Sequence, residues 1–94
     1  MTTYAVATLK IADKDALLAY RDVAGAALEK HGGAIISAGP APEALENSAD
    51  VPDMMALISF PSGEAARAWR DDPELAQIHA LRNKAGASTI LLVP

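Results

Sequence analysis

The chain has 94 residues, of which 51% are hydrophobic and 4% aromatic, and it carries a net charge of −4. This length predicts one domain over residues 1–94, with a small core built mainly from Ala, Leu, Ile and Val. The basic residues are scattered rather than clustered, so we expect no nucleic-acid partner.

The chain contains no cysteine, which excludes disulfides and thiolate metal sites and fits a reducing compartment. The N-terminus has no signal-peptide pattern, and no apolar run approaches the length needed to cross a bilayer. The sequence therefore predicts a cytoplasmic protein that makes no membrane contact.

The first half of the chain predicts a strand, a helix and a second strand. Alternation predicts a strand over Thr3–Ile11, and Asp13 then caps a helix. Apolar residues recur on one face of this helix, at Leu17, Tyr20, Ala24, Ala27 or Leu28, and His31. The helix ends at His31, which we interpret as a cap beside unpaired carbonyls rather than as a general base. Residues 34–38 predict the second strand.

The second half begins with a loop over residues 39–53 that is rich in proline and acids. Loops of this length are typical of functional segments, which cover a pocket or reach a partner subunit. Residues 55–60 predict a third strand, and Ser62 caps the following helix, whose packing face holds Ala65, Ala66 and Trp69.

The helix breaks after Arg70 and restarts at Asp72-Pro73-Glu74, a favourable helix start. The predicted buried face of this last helix comprises Leu75, Ile78, Leu81 and Ala85. Gly86 stops the helix, and residues 87–93 predict the final strand.

This order of elements predicts an α+β, ferredoxin-like βαββαβ fold, with a four-stranded antiparallel sheet and both helices on one face. The other face should also be apolar, because Val6, Ile35 and Ile36 and residues 90–93 alternate only weakly. No element remains to cover that face. The sequence therefore predicts an obligate homodimer joined through its sheet faces, with an interface above about 1,200 Å².

Several segments together resemble an uncharacterised domain-of-unknown-function family of the dimeric α+β barrel superfamily. They are Phe60-Pro61-Ser62, Glu64-Ala65-Ala66, Ala68-Trp69, His31-Gly32-Gly33 and Leu81-Arg82. The resemblance covers nearly the whole chain and implies the fold and the dimer. The superfamily implies a range of activities: cofactor-free monooxygenases, muconolactone isomerases, haem enzymes and ligand-sensing regulatory domains.

The chain departs from that family pattern at Ala38, Asn47 and Leu75, where arginine, glycine and tyrosine are usual, and no tryptophan follows Asn47. These departures remove polar and aromatic groups from any ligand site of the family. The chain also contains no catalytic motif, and we assign no catalytic residue, cofactor or metal.

The candidate ligand-binding residues of a pocket between sheet and helices are Tyr4, Ser37, Glu46, Trp69 and Arg82. Trp69 is also interpreted as a packing residue. His79 and Arg82 lie three positions apart, a spacing that could present both to an anion but is more typical of a solvated helix face.

Two functions remain open. In the first, the dimer encloses a pocket that binds or transforms a small organic molecule, with Arg82 holding an anionic or carbonyl-bearing ligand. In the second, the protein is a non-catalytic interaction or stress-related module. Polar groups around a cavity of a few hundred Å³ favour the first function, and a filled interior favours the second.

Overall fold

The computed structural model describes residues 2–47 and 50–94, and its elements follow the predicted order. The strands are β1 (Thr3–Ile11), β2 (Ala34–Pro40), β3 (Met54–Phe60) and β4 (Gly86–Leu92). The helices are α1 (Lys14–Lys30), α2 (Gly63–Asp71) and α3 (Ala76–Ala85), with a 3₁₀ turn at Pro73–Leu75. The strands pair antiparallel in the order β2-β3-β1-β4, which confirms the ferredoxin-like prediction.

Both predicted N-caps are present. The Asp13 carboxylate accepts a hydrogen bond from the Ala16 N–H (3.1 Å), and the Ser62 hydroxyl accepts one from the Ala65 N–H (3.1 Å). These bonds fix where α1 and α2 begin, and hence which of their faces meet the sheet.

His31 occupies the C-cap of α1, as predicted, and Gly32 follows it in the left-handed conformation (φ 74°). The Gly33 N–H donates to the Leu28 carbonyl, which completes the Schellman turn. The predicted position of the imidazole is wrong, however. Its Nε2 donates to the Asp72 carboxylate (2.8 Å) instead of lying at the helix carbonyls, because Asp72 offers a charged acceptor within reach.

Asp72 connects the end of α1 to the junction between α2 and α3. Its carboxylate lies 2.7 Å from Lys30 Nζ and also accepts from the Glu74 N–H (2.9 Å), which caps the 3₁₀ turn. The hydrogen bonds from Lys30, His31 and the Glu74 backbone hold the pKa of Asp72 well below its ordinary value.

The inner face of the sheet carries the core. Ala5, Ile58 and Phe60 are buried against residues of the helices and the 3₁₀ turn, namely Ala27, Leu28, Ala66, Trp69 and Leu75. At the junction of α3 and β4, a Cβ on Gly86 would overlap the carbonyl oxygen of Lys10, so the close approach of β4 to the end of β1 requires glycine.

The opposite face of the sheet, here called the outer sheet face, is not covered by any of the described helices. In the register, Val6 lies opposite Leu57 and Leu91, and this row alternates with the buried Ala5 row. The outer sheet face exposes large apolar side chains, among them Tyr4, Met55, Leu91 and Val93. The predicted apolar character of this face is confirmed.

Four details differ from the sequence-based expectations. β2 extends two residues further, to Pro40, and contains a bulge between Ile35 and Ser37. β3 begins one residue earlier than predicted, and β4 begins and ends one residue earlier. The buried residues of α3 are His79, Arg82 and Ala85, whereas the predicted Ile78 and Leu81 are only partly buried. Among the helices described, none is long and apolar enough to cross a membrane.

Candidate functional site

Two cavities lie between the helices and the inner face of the sheet. Cavity A, of about 290 Å³, lies beneath α1 and is lined mainly by apolar residues, including Leu17, Ala24, Leu28, Met54 and Ile58. Cavity B, of about 270 Å³, lies between α2, α3 and β4 and is lined in part by Phe60, Ala66, Trp69, Ile90 and Leu92. Arg82 and Ser88 line both cavities. Arg82 therefore marks the boundary between them.

The Arg82 side chain is buried, with 5% of the residue exposed. Its Nη1 donates to His79 Nδ1 (2.9 Å) and more weakly to the Tyr20 hydroxyl (3.4 Å). Its Cζ lies 5.4 Å from the centroid of the Trp69 ring and 5.7 Å from that of the Tyr20 ring, within the range of cation–π attraction. In the described part of the chain, no carboxylate forms an ion pair with it.

His79 holds Arg82 in place. Its Nε2 hydrogen-bonds to the Trp69 carbonyl (2.9 Å), and its Nδ1 faces the guanidinium. Because a carbonyl only accepts and a guanidinium only donates, the ring is neutral, with its proton on Nε2. Burial lowers the pKa of His79, and the charge of Arg82 lowers it further. Both ring nitrogens are thus engaged, and His79 is a positioning residue.

Two buried N–H groups at this position have no acceptor among the described residues: Trp69 Nε1 and Arg82 Nε. Leaving such a donor unpaired costs about 1–3 kcal/mol. Arg82 Nη2 likewise makes no hydrogen bond to the described residues. The Nε–Nη2 edge of the guanidinium is therefore free, while the Nη1 side is bound by His79 and Tyr20.

The two cavities are positively charged although the chain as a whole is acidic. Every arginine lines one or both of them: Arg21 lines cavity A, Arg67 and Arg70 line cavity B, and Arg82 lines both. No aspartate or glutamate from the described ranges lines either cavity. This arrangement favours a negatively charged occupant.

Of the five candidate ligand-binding residues, the structure brings together only Trp69 and Arg82. Tyr4 and Ser37 lie on the outer sheet face, because Tyr4 pairs with Ser59 and Ser37 pairs with Leu57. Glu46 is exposed in the loop before β3. None of these three residues lines cavity A or cavity B of the single chain. Ligand binding by the five residues in a pocket of the dimer stays a prediction.

The prediction of a solvated face for His79 and Arg82 is wrong, because α3 turns both side chains into the interior. Sequence reasoning missed Tyr20 as a partner of Arg82 and Ser88 as a lining residue of both cavities. The i, i+3 spacing of His79 and Arg82 was the available signal for their contact. Within residues 2–47 and 50–94, no group of three or more His, Asp or Glu residues could hold a metal ion.

The fold and the buried site together define a small ferredoxin-like protein with two cavities between its helices and its sheet. A family model described as a domain of unknown function, DUF1330, matches residues 2–94, so the chain belongs to this family. The match confirms the resemblance to an uncharacterised family. The search of curated proteins finds no match.

Several solved structures have the same fold as this chain. A protein of unknown function from Rhodopseudomonas palustris aligns with a TM-score of 0.76 at 18% identity, over 98% of this chain and 80% of its own. A dimeric ferredoxin-like protein of unknown function from Jannaschia sp. CCS1 aligns with a TM-score of 0.73 at 11% identity, over 100% and 99%. SnoaB, a cofactor-independent oxygenase from Streptomyces nogalater, aligns with a TM-score of 0.61 at 14% identity, over 99% and 89%.

Proposed function

We propose that the protein binds a small organic anion at Arg82, in the space between the helices and the sheet. The observation that carries this proposal is the buried guanidinium of Arg82, which has a free Nε–Nη2 edge and no carboxylate partner in the described chain. A buried cation without a counter-ion destabilises a fold, and an anionic ligand offsets that cost. The planar guanidinium edge suits the two oxygens of a carboxylate.

Cofactor-free oxygenase or isomerase chemistry is the more specific form of this proposal. Its support is the similarity in fold to the Streptomyces oxygenase and the ability of Arg82 to stabilise an enolate or phenolate oxygen. Against it, the described lining of the cavities contains no carboxylate, and both nitrogens of His79 are engaged. Neither a carboxylate nor a free imidazole is therefore available there as a general base. We therefore favour ligand binding without catalysis. A non-catalytic interaction or stress-related module is the alternative.

We also propose that the chain forms a homodimer through its outer sheet face. The exposed apolar side chains on that face and the dimeric state stated for the Jannaschia protein support this assembly. The cytoplasmic location predicted from the sequence remains a prediction.

Isothermal titration calorimetry tests anion binding at Arg82. The probes are hexanoate, benzoate and their neutral amides. We expect one or both carboxylates to bind and the amides to bind at least about tenfold more weakly, because a charge-assisted hydrogen bond is worth about 1.5–3 kcal/mol. Arg82→Gln should weaken carboxylate binding by a similar factor.

The matched control is Lys84→Gln, which removes the same charge from an exposed position on α3 that lines neither cavity. This variant should bind as the wild type does. If neither carboxylate binds at millimolar concentration, or if Arg82→Gln and Lys84→Gln behave alike, the proposal is wrong.

A further inference from the structure

We infer that the ligand is an amphipathic monocarboxylate, with its one carboxylate at Arg82 and its apolar body in cavity A. This inference rests on the proposed function and specifies the chemical class that the site selects.

The buried site offers one carboxylate position. His79 and Tyr20 accept the hydrogen bonds of Arg82 Nη1, so only the Nε–Nη2 edge of the guanidinium is available to a ligand. The two parallel N–H groups of this edge match the two oxygens of a single carboxylate. Nε is inaccessible to water in this structure, so full side-on contact requires a local shift of Arg82 or of the atoms around it. The Trp69 ring, 5.4 Å from Cζ, lies close enough to report that shift.

The other arginines do not build a second buried anion position. Arg21, Arg67 and Arg70 are exposed at the borders of the cavities, where water and salt screen their charges. They attract an anion during its approach but do not compensate a second charge inside cavity A. A dicarboxylate of the same length would therefore have to bury an unpaired charge.

Cavity A suits the apolar body better than cavity B does. Most of its lining is aliphatic, and the Tyr20 hydroxyl in that lining is already bonded to Arg82. Five of the 17 residues that line cavity A are polar: Thr8, Tyr20, Arg21, Arg82 and Ser88. Cavity B has five polar residues among only 11: Arg67, Arg70, Arg82, Asn83 and Ser88. A cavity of about 150 Å³ in another protein holds benzene. By that scale, the roughly 290 Å³ of cavity A hold an apolar body of about ten to twelve carbons.

The test is a homologous series of straight-chain carboxylates from acetate to dodecanoate, each below its micellar concentration. The chain has a single tryptophan, so intrinsic fluorescence reports Trp69, and calorimetry provides the affinities. We expect affinity to rise about fourfold per methylene and to level off at about ten to twelve carbons. Octanol and octanedioate should each bind at least about tenfold more weakly than octanoate.

Gly25 and its exposed neighbour Ala26 offer a test variant and a control for cavity A. Gly25 lines the cavity, lies exposed on α1, and a Cβ built on it meets no atom within 4 Å, so larger side chains are accommodated there. Gly25→Leu should weaken decanoate binding about tenfold and leave butyrate binding unchanged. Ala26→Leu, at an exposed position of α1 that lines neither cavity, should bind both as the wild type does. Arg82→Gln should weaken both by the same factor.

The outcomes separate the two proposals. If hexanoate and benzoate bind through Arg82 but affinity does not change with chain length, or if octanedioate binds as tightly as octanoate, the amphipathic class is wrong and anion binding stands. If Gly25→Leu leaves decanoate binding unchanged, the apolar body does not occupy cavity A and the inference is overturned. If octanol equals octanoate and Arg82→Gln has no effect, the chains bind an apolar surface, and both proposals fail.

Discussion

Arg82 is the residue at which the stability of the fold and the proposed ligand binding oppose one another. The fold buries its charge without a carboxylate partner among the described residues, and the hydrogen bonds of Nη1 to His79 and Tyr20 offset only part of that cost. If Arg82 served packing alone, an uncharged side chain of similar volume would suffice at this position.

We therefore predict that Arg82→Met leaves the free energy of unfolding unchanged or raises it by about 1–4 kcal/mol, while carboxylate binding is lost. Methionine fills a similar volume and removes the uncompensated charge. Urea denaturation followed by circular dichroism, with calorimetry on the same samples, checks both effects. Lys84→Met on the exposed side of α3 is the control and should retain binding. A loss of stability above about 2 kcal/mol would contradict this account.

Trp69 is the largest side chain of the core and makes the densest set of aromatic contacts. Its ring centroid lies 5.6 Å from that of Phe60 and 4.7 Å from that of His79, the latter edge-on, and the residue is 3% exposed. We expect Trp69→Ala to cost about 3–5 kcal/mol in unfolding free energy, measured by urea denaturation with circular dichroism. The exposed Leu18→Ala is the control, with an expected change within about 0.5 kcal/mol. A cost below about 1 kcal/mol would rule out the packing role.

At the scale of single residues, the sequence was sufficient to select Trp69 and Arg82 as candidate site residues. It was not sufficient to predict which residues surround them. Arg82 meets Tyr20 across 62 positions of the chain, and no local pattern encodes such a contact. His79 and Arg82 are polar, and a pattern-based analysis assigns polar positions to the solvent. The side chains are buried here because their polar atoms bond to one another and to the Trp69 carbonyl.

At the scale of the elements, Asp72 joins the end of α1 to the break between α2 and α3 through Lys30 and His31. The folded state lowers the pKa of Asp72 from its ordinary value of 3.8. The ionised Asp72 carboxylate therefore stabilises the folded state fully above pH 3.8, and this stabilisation is lost as the pH falls below that value.

Asp72→Asn should accordingly unfold at a lower temperature than the wild type at pH 7, and the difference should shrink between about pH 4 and pH 2. Asparagine is also a good N-cap, so the substitution removes the charge and keeps the start of the 3₁₀ turn. Thermal melts followed by circular dichroism across this range check the prediction. Asp71→Asn is the control, because Asp71 is exposed and forms no ion pair within the described chain. If the difference in melting temperature between Asp72→Asn and the wild type stays constant with pH, the ionisation of Asp72 does not contribute to stability.

The element boundaries were predictable where a local signal sets them. Asp13, Ser62 and the Gly32-Gly33 turn fix helix ends through contacts within a few residues, and the alternation of β1 fixes its full length. The buried face of α3 was not predictable in this way. α3 packs against α1 as well as the sheet, so its buried stripe passes through positions 79 and 82 instead of 78 and 81. Which neighbours a helix has is a property of the topology.

At the scale of the whole molecule, one sheet separates two apolar environments. The inner face is covered by the helices and contains the cavities, and the outer sheet face exposes apolar side chains such as Leu91 (63% exposed) and Val93 (45%). Of the sequence-based candidates, Tyr4 and Ser37 belong to the outer sheet face and Arg82 to the interior. The first two residues thus lie on the face of the proposed dimer interface, and the third lies at the proposed ligand site.

The proposed homodimer yields a prediction about two leucines of similar exposure. Leu91 lies on the outer sheet face, and Leu18 lies on α1, where 57% of it is exposed. We expect Leu91→Glu to convert the dimer into monomer, because it would bury a carboxylate without a partner between two apolar sheets, and we expect Leu18→Glu to remain dimeric. Size-exclusion chromatography with light scattering, over a dilution series into the nanomolar range, measures the mass of each. A wild-type chain that is a stable, folded monomer across the series would reject the interface, as would identical masses for the two variants.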